Sequence, residues 1–242
     1  MKILEEVKEF FKSISYWIYS LVGFSFFFFL FGHPSFSVQV FQKIESDLLP
    51  RGVQLVVTNP MSAFVSQILL SLLLAFIITF PFFLYQIMKY LIPALLEHEK
   101  KLLFRSLLPA VILFFSGCIF AYYFLIPITF KILYPYATLI NALTLFSVTE
   151  FVYSVLGLMI VTGVMFLLPL FMTMLSWIGL VKSAIWKENW RYALLVFLIF
   201  TAIITPDGTG VSMMILFLPL MLLYFAGCVL TSRFDKGKIS LS

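Results

Sequence analysis

Charge is what this 242-residue chain has least of. Asp, Glu, Lys and Arg together make up 11% of it and apolar residues 62%, whereas a soluble domain carries about 25% charged residues. So few charges cannot cover a water-facing surface, and apolar runs near 20 residues recur, so the lipid bilayer is the medium of this chain. Cysteine is nearly absent too. Cys118 and Cys228 stand alone, with no Cys-x-x-Cys pair and no adjacent His or acid, which argues against redox or metal chemistry and for two buried thiols acting as small apolar residues.

Histidine is as rare, with only His33 and His98. His98 lies between Glu97 and Glu99, but neighbours on a helix diverge by about 100°, so the three do not converge on a metal. The chain has no phosphate-binding glycine loop, no His-Glu-x-x-His pair and no Gly-x-Ser-x-Gly elbow, so no catalytic residue, metal site or cofactor is expected and the protein reads as a non-enzyme.

The apolar runs form six candidate spans, at about 14–32, 62–88, 106–130, 151–180, 192–204 and 211–231. Lipid leaves unpaired backbone groups without partners, and these apolar positions do not alternate as barrel strands do, so the spans are expected to be helices. No Asp, Glu, Lys, Arg or His falls inside any of them. Ion-coupled carriers hold such groups at membrane depth, so a proton relay or voltage sensor built from this chain alone is disfavoured.

Cations are unevenly distributed. Lys2, Lys8, Lys12, Lys89, Lys100, Lys101, Arg105, Lys182, Lys187, Arg191, Arg233, Lys236 and Lys238 fall on one side of the six-span reading, and Lys43, Arg51 and Lys131 on the other. The positive-inside rule then places both termini in the cytoplasm. Because the cations are spread over several cytoplasmic segments, the net charge of +5 does not call for a nucleic-acid partner.

The N-terminus has an apolar core too long for a signal-peptide h-region and no small-x-small cleavage site, so it is expected to be retained. Ahead of it, Ile3, Leu4, Val7, Phe10, Phe11 and Ile14 recur at helical spacing, with Lys2, Glu5, Glu6, Lys8, Glu9 and Lys12 opposite. That pattern predicts a short amphipathic helix over 1–13 on the cytoplasmic surface.

Pro81, Pro169 and Pro219 sit inside spans and Pro127 near the end of another; each removes a backbone donor, so the bundle is expected to be kinked. The span at 192–204 reaches only about 20 Å, short of a hydrocarbon core of about 30 Å.

Between the second and third spans, acids and bases crowd together: Pro81, Leu84, Tyr85 and Gln86, then Pro93-Ala94-Leu95, then His98-Glu99-Lys100-Lys101. This run resembles the first cytoplasmic loop of the TatC family, the receptor subunit of the twin-arginine protein translocase. Gly117-x-x-Phe120-Ala121-Tyr122-Tyr123 with Pro127 is similar to the family's third helix, and Gly163-Val164-x-Phe166-x-x-Pro169 to its fourth. Thr205-Pro206-Asp207, Ser212 and Pro219 resemble its last outer loop and sixth helix, and Ser232-Arg233-Phe234 ends the chain in the family's manner.

The resemblance implies a single TatC-like transmembrane domain over 1–242, all-α, with six kinked helices and both termini cytoplasmic, in the inner membrane. It implies binding of twin-arginine signal peptides at Glu6 and Glu99, with Lys8, His98, Lys100 and Lys101 in support. It further implies a homo-oligomer within a complex that includes single-span TatA/TatB-type subunits, contacted near Phe166, Leu167, Pro169, Thr205, Pro206 and Asp207. Members usually carry acids where this chain has Leu167 and Phe225, an Arg where it has Lys8, and a His where it has Ile3. Those departures imply either a partner changed to match or a divergent member. From the residues alone, a small secondary transporter or channel, or a scaffold that binds no peptide, remain alternatives.

Overall fold

The structure, a computed structural model, describes residues 2–31, 35–49, 54–57, 59–91, 97–139, 145–205 and 210–239. Almost all of them are helical: α1 (Lys2–Leu30), α2 (Phe36–Leu48), α3 (Pro60–Leu91), α4 (Glu97–Phe120), a π-helical segment (Ala121–Leu125), α5 (Ile126–Leu139), α6 (Val148–Met165), α7 (Leu168–Trp177), α8 (Ser183–Glu188), α9 (Trp190–Ile204) and α10 (Val211–Ile239). Two three-residue strands, β1 (Gln54–Val56) and β2 (Leu145–Ser147), pair in parallel with Gln54 opposite Leu145. Four stretches, Met61–Tyr90, Phe104–Leu133, Val148–Trp177 and Val211–Ser232, are long and apolar enough to cross a membrane, and Ile14–Leu30 and Trp190–Ile204 are shorter apolar helices.

The chain forms two compact units, one of Met1–Ala94 with Phe130–Gly157, the other of Leu95–Thr129 with Leu158–Ser242. In the first, α1 packs along α3 through Trp17. Its ring lies 4.5 Å from Phe83 and edge-on to Phe76, and its indole N–H donates to Thr79 Oγ1 at 3.2 Å. Thr79 in turn donates to the Ala75 carbonyl, so the polar groups at this apolar contact are satisfied. The helix α2 buries Ser37, Ile44 and Leu48, positions seven and four apart that share one face. Gln67 Nε2 donates to Ser35 Oγ at 2.7 Å just ahead of α2. Phe151, fully buried, stacks on Phe130 and meets Phe41 edge-on.

In the second unit the tightest contact is glycine against glycine. A methyl group on Gly117 of α4 would lie 2.8 Å from Gly163 Cα and 2.8 Å from the Thr162 carbonyl oxygen of α6. Small residues let the two backbones approach, which is how helices gain dispersion energy where lipid cancels the hydrophobic drive. Gly227 does the same for α10, meeting Met172 and Pro169 of α7. Met172, Tyr224 and Cys228 form a buried cluster there, covered by Leu168, Trp186, Ala193 and Phe197. Both cysteines are free and buried, and the Cys118 thiol points to the Met159 carbonyl at 3.7 Å.

Several expectations need correction. The predicted surface helix over 1–13 and the first span are one continuous helix, Lys2–Leu30; no proline interrupts the sequence before Pro34. The fourth span, Val148–Trp177, is interrupted at its proline rather than smoothly bent: α6 stops at Met165 and α7 restarts at Leu168 with Pro169 in its first turn. There the missing N–H of proline is harmless. Pro127 acts on the segment before it: the Ile126 N–H bonds to the Ala121 carbonyl, an i to i−5 bond, so the turn widens just ahead of the residue that has no donor. Pro81, Pro109 and Pro219 are carried inside α3, α4 and α10. The helix α2 and the two strands were not expected. The short span is 15 residues, Trp190–Ile204, about 22 Å long.

Candidate functional site

The charged cluster that follows Pro93 opens a helix. Glu97, His98, Glu99, Lys100 and Lys101 are the first five residues of α4, where free backbone N–H groups and the helix dipole favour acids. Glu99 therefore belongs to a helix that continues directly into the apolar stretch Phe104–Leu133, so the position of its backbone is fixed by a transmembrane element rather than by a loose loop. Glu6 and Lys8 lie in the N-terminal part of α1. Glu6 belongs to the first unit and Glu99 to the second. The side chains of Glu6, Lys8, His98, Glu99, Lys100 and Lys101 lie outside the described residues. Among the described residues no cluster of His, Cys, Asp and Glu could hold a metal ion.

A second locus gathers at the break between α6 and α7. Phe166 packs against Phe120 of α4 with the rings tilted by 33° and their centroids 5.6 Å apart, and its N–H still reaches the Thr162 carbonyl at 3.0 Å. Leu167 occupies the N-cap position of α7, half-buried, and Pro169 is buried beneath it against Gly227. Thr173 donates to the Pro169 carbonyl at 2.6 Å, the helix-internal bond usual for threonine. Thr162 makes no such bond: its Oγ1 is fully buried and has no hydrogen-bond partner among the described residues. Thr205 ends α9, buried, with its hydroxyl donating to the Thr201 carbonyl at 2.9 Å. Pro206 and Asp207 lie outside the described residues.

Sequence reasoning missed a polar tie that crosses three helices. Trp186 of α8 donates its indole N–H to Ser176 Oγ of α7 at 2.8 Å, and its carbonyl accepts the Tyr224 hydroxyl of α10. No local pattern marks these three residues, which are separated by 10 and 38 positions; an aromatic at a membrane interface with a polar tip to satisfy is the one available signal.

The profile described as Sec-independent protein translocase protein (TatC) matches residues 4–219. This chain belongs to the TatC family. It is 35% identical over 204 residues to a Sec-independent protein translocase protein TatC of Cenarchaeum symbiosum, covering 84% of this chain and 77% of that one. It is 28% identical over 207 residues to the TatC of Haemophilus influenzae, covering 84% and 79%. A crystal structure of the twin-arginine translocase receptor TatC superposes with a TM-score of 0.79 at 27% identity, covering 94% of this chain and 98% of that one.

As a TatC-family protein the chain is a membrane-embedded component of a protein translocase that works with other Tat subunits. At the two positions where the resemblance leads one to expect acids, the chain carries apolar side chains: Leu167 is half-buried beside Phe166, and Phe225 is 47% exposed and lines a small cleft with Lys187, Trp190 and Cys228. Neither needs a polar partner to be stable in lipid, which an acid at the same depth would.

Proposed function

We propose that this TatC-family protein is the membrane receptor and core subunit that binds twin-arginine signal peptides and helps assemble the translocon for folded proteins. Membership in a protein translocase family speaks against the carrier and channel readings, and the peptide test below separates a receptor from a scaffold that binds no peptide. The observation that supports the binding site is the placement of Glu99 in the first turn of α4, inside the loop motif and followed directly by Lys100 and Lys101. A guanidinium presents a rigid fork that one carboxylate accepts in two parallel bonds, and two successive arginines call for two acids. Glu6 is the second acid. Lys8, His98, Lys100 and Lys101 shape the local field.

The excess of Lys and Arg on one side supports an inner-membrane location with both termini cytoplasmic. For TatA/TatB-type single-span subunits, α9 supports a docking face. Leu195, Val196, Ile199 and Ile203 are exposed along it, with Ile203 at 77%, and its length of about 22 Å leaves the bilayer mismatched unless another helix shields it. The neighbourhood of Phe166, Leu167, Pro169, Thr205, Pro206 and Asp207 would complete that contact, and copies of the chain would associate within the complex.

The test is photocrosslinking of a twin-arginine signal peptide and its twin-lysine counterpart to the protein in native membranes. Strong labelling near Glu99 by the arginine peptide alone is the expected result, with Glu99→Gln or Glu6→Gln weakening it by about tenfold. Equal labelling by both peptides would remove the guanidinium argument.

A further inference from the structure

On the side of the Gly117–Gly163 contact toward the start of α4, a cleft of about 460 Å³ opens between α4, α7 and α10, all parts of the second unit. Its floor and walls include Pro109 and Leu113 of α4, Pro169 and Trp177 of α7, and Leu230 of α10, with Arg105 at one end. The space lies where the glycine contact brings α4 and α6 together and α6 gives way to α7 at Phe166–Leu167.

The size falls within the range of about 300–1,000 Å³ that encloses small molecules. Its chemistry is one-sided. The Thr173 hydroxyl in the wall is already committed to the Pro169 carbonyl, so the cleft has little to offer a polar solute. Arg105 is the one charged side chain among the described lining residues, and among the described residues no carboxylate pairs with it. Trp177, which also lines the cleft, ends α7 just before the turn at Gly179 that leads to Lys182. An apolar slot lined by a tryptophan and by a guanidinium that no described carboxylate pairs with, near the cation-rich end of α4, has the polarity of an anionic lipid. Basic pockets between transmembrane helices hold lipid headgroups in this way, and the guanidinium fork matches a phosphate.

We infer that this cleft is a binding site for an anionic phospholipid, with an acyl chain between α4, α7 and α10 and the phosphate on Arg105. The site is separate from the peptide-binding acids and does not depend on them. A lipid held there would fill the wedge that the α6–α7 break leaves open, and would make the packing of α7 sensitive to the anionic lipid content of the membrane.

The full-length protein in mild detergent, presented with equimolar phosphatidylglycerol and phosphatidylcholine and examined by native mass spectrometry, tests this. Retention of phosphatidylglycerol over phosphatidylcholine by about tenfold is expected, falling to near parity in Arg105→Gln. Thr173→Phe, which fills the slot, should lower retention of both lipids, with circular dichroism reporting unchanged helix content. Inorganic phosphate should not displace the lipid. The inference is overturned if the wild-type protein shows no preference, if Arg105→Gln keeps it, if Thr173→Phe retains lipid as before, or if phosphate alone competes.

Discussion

Gly117 and Gly163 meet backbone to backbone, so that even one methyl group at Gly117 would press to 2.8 Å on the Gly163 Cα. Backbone cannot rotate aside, and Gly117→Ala is expected to lower stability by about 1–3 kcal/mol. Gly163→Ala meets side-chain atoms instead, Phe114 at 2.8 Å and the Cys118 sulfur at 2.9 Å, which can shift, so its loss should be smaller. Gly157 on the same helix α6 has nothing within 4 Å, and Gly157→Ala should hold or gain up to about 1 kcal/mol from helix propensity. Apparent melting temperatures of the three variants in one detergent check the order; a Gly157→Ala protein less stable than Gly117→Ala would contradict it.

Thr162 presents the opposite case, a polar atom that structure has left behind. Its hydroxyl is buried without a partner among the described residues, a condition that costs about 1–3 kcal/mol. Valine has nearly the same shape and no hydroxyl, so Thr162→Val should raise the melting temperature. A lower melting temperature would mean that the hydroxyl is bonded, for example to a water molecule.

Leu167→Glu should separate the stability of the chain from its coupling to partners. An acid at membrane depth costs about 2.5–3.5 kcal/mol on insertion scales, so the isolated variant should melt at a lower temperature than the parent. In cells that lack their own receptor but keep their single-span subunits, the same variant is expected to export twin-arginine cargo better than the parent, because it supplies the acid that the family resemblance leads one to expect at this position. Export no better than the parent's would show that the α6–α7 break is not the point of partner contact.

A chain with no Asp, Glu, Lys, Arg or His within its six apolar runs has no charge there to move in an electric field. Each charge crossing 100 mV exchanges about 2.3 kcal/mol, and none is available between residues 14–32, 62–88, 106–130, 151–180, 192–204 or 211–231. Voltage steps applied to the reconstituted protein alone should therefore give no gating-type charge displacement. A measurable displacement would require a buried charge that this sequence does not place there.

How legible each part was in the sequence depended on whether its cause was local. The apolar segments stood out because charge is absent over whole spans, and the family emerged from short motifs in a fixed order. The helix α2 was hidden because Gln39, Gln42, Lys43, Glu45, Ser46 and Asp47 make it read as a loop, although Ser37, Ile44 and Leu48 hold one buried face. Strands of three residues are too short for any alternation to show. Pro169 announced an interruption but not its form, since a proline can bend a helix or begin one. The Ser176–Trp186–Tyr224 tie and the cleft beside Arg105 depend on which helices meet, which no window of sequence contains. Glu6 and Glu99 were singled out by resemblance; their own surroundings in the sequence fit an ordinary solvated acid equally well.

The π-helical segment Ala121–Leu125 has a consequence for how this helix can change length over evolution. A wide turn of this kind accommodates one residue more than an α-helical turn would, so it acts as a store for a single insertion. Removing one residue within 121–125 should let the turn close to α-helix and leave the faces of α4 and α5 aligned as they are. The same deletion at Ile112 or Phe115 would turn everything beyond it by about 100°, carrying Gly117 away from Gly163. Single-residue length variation among descendants of this sequence should therefore be tolerated in that one turn and purged from the rest of the span.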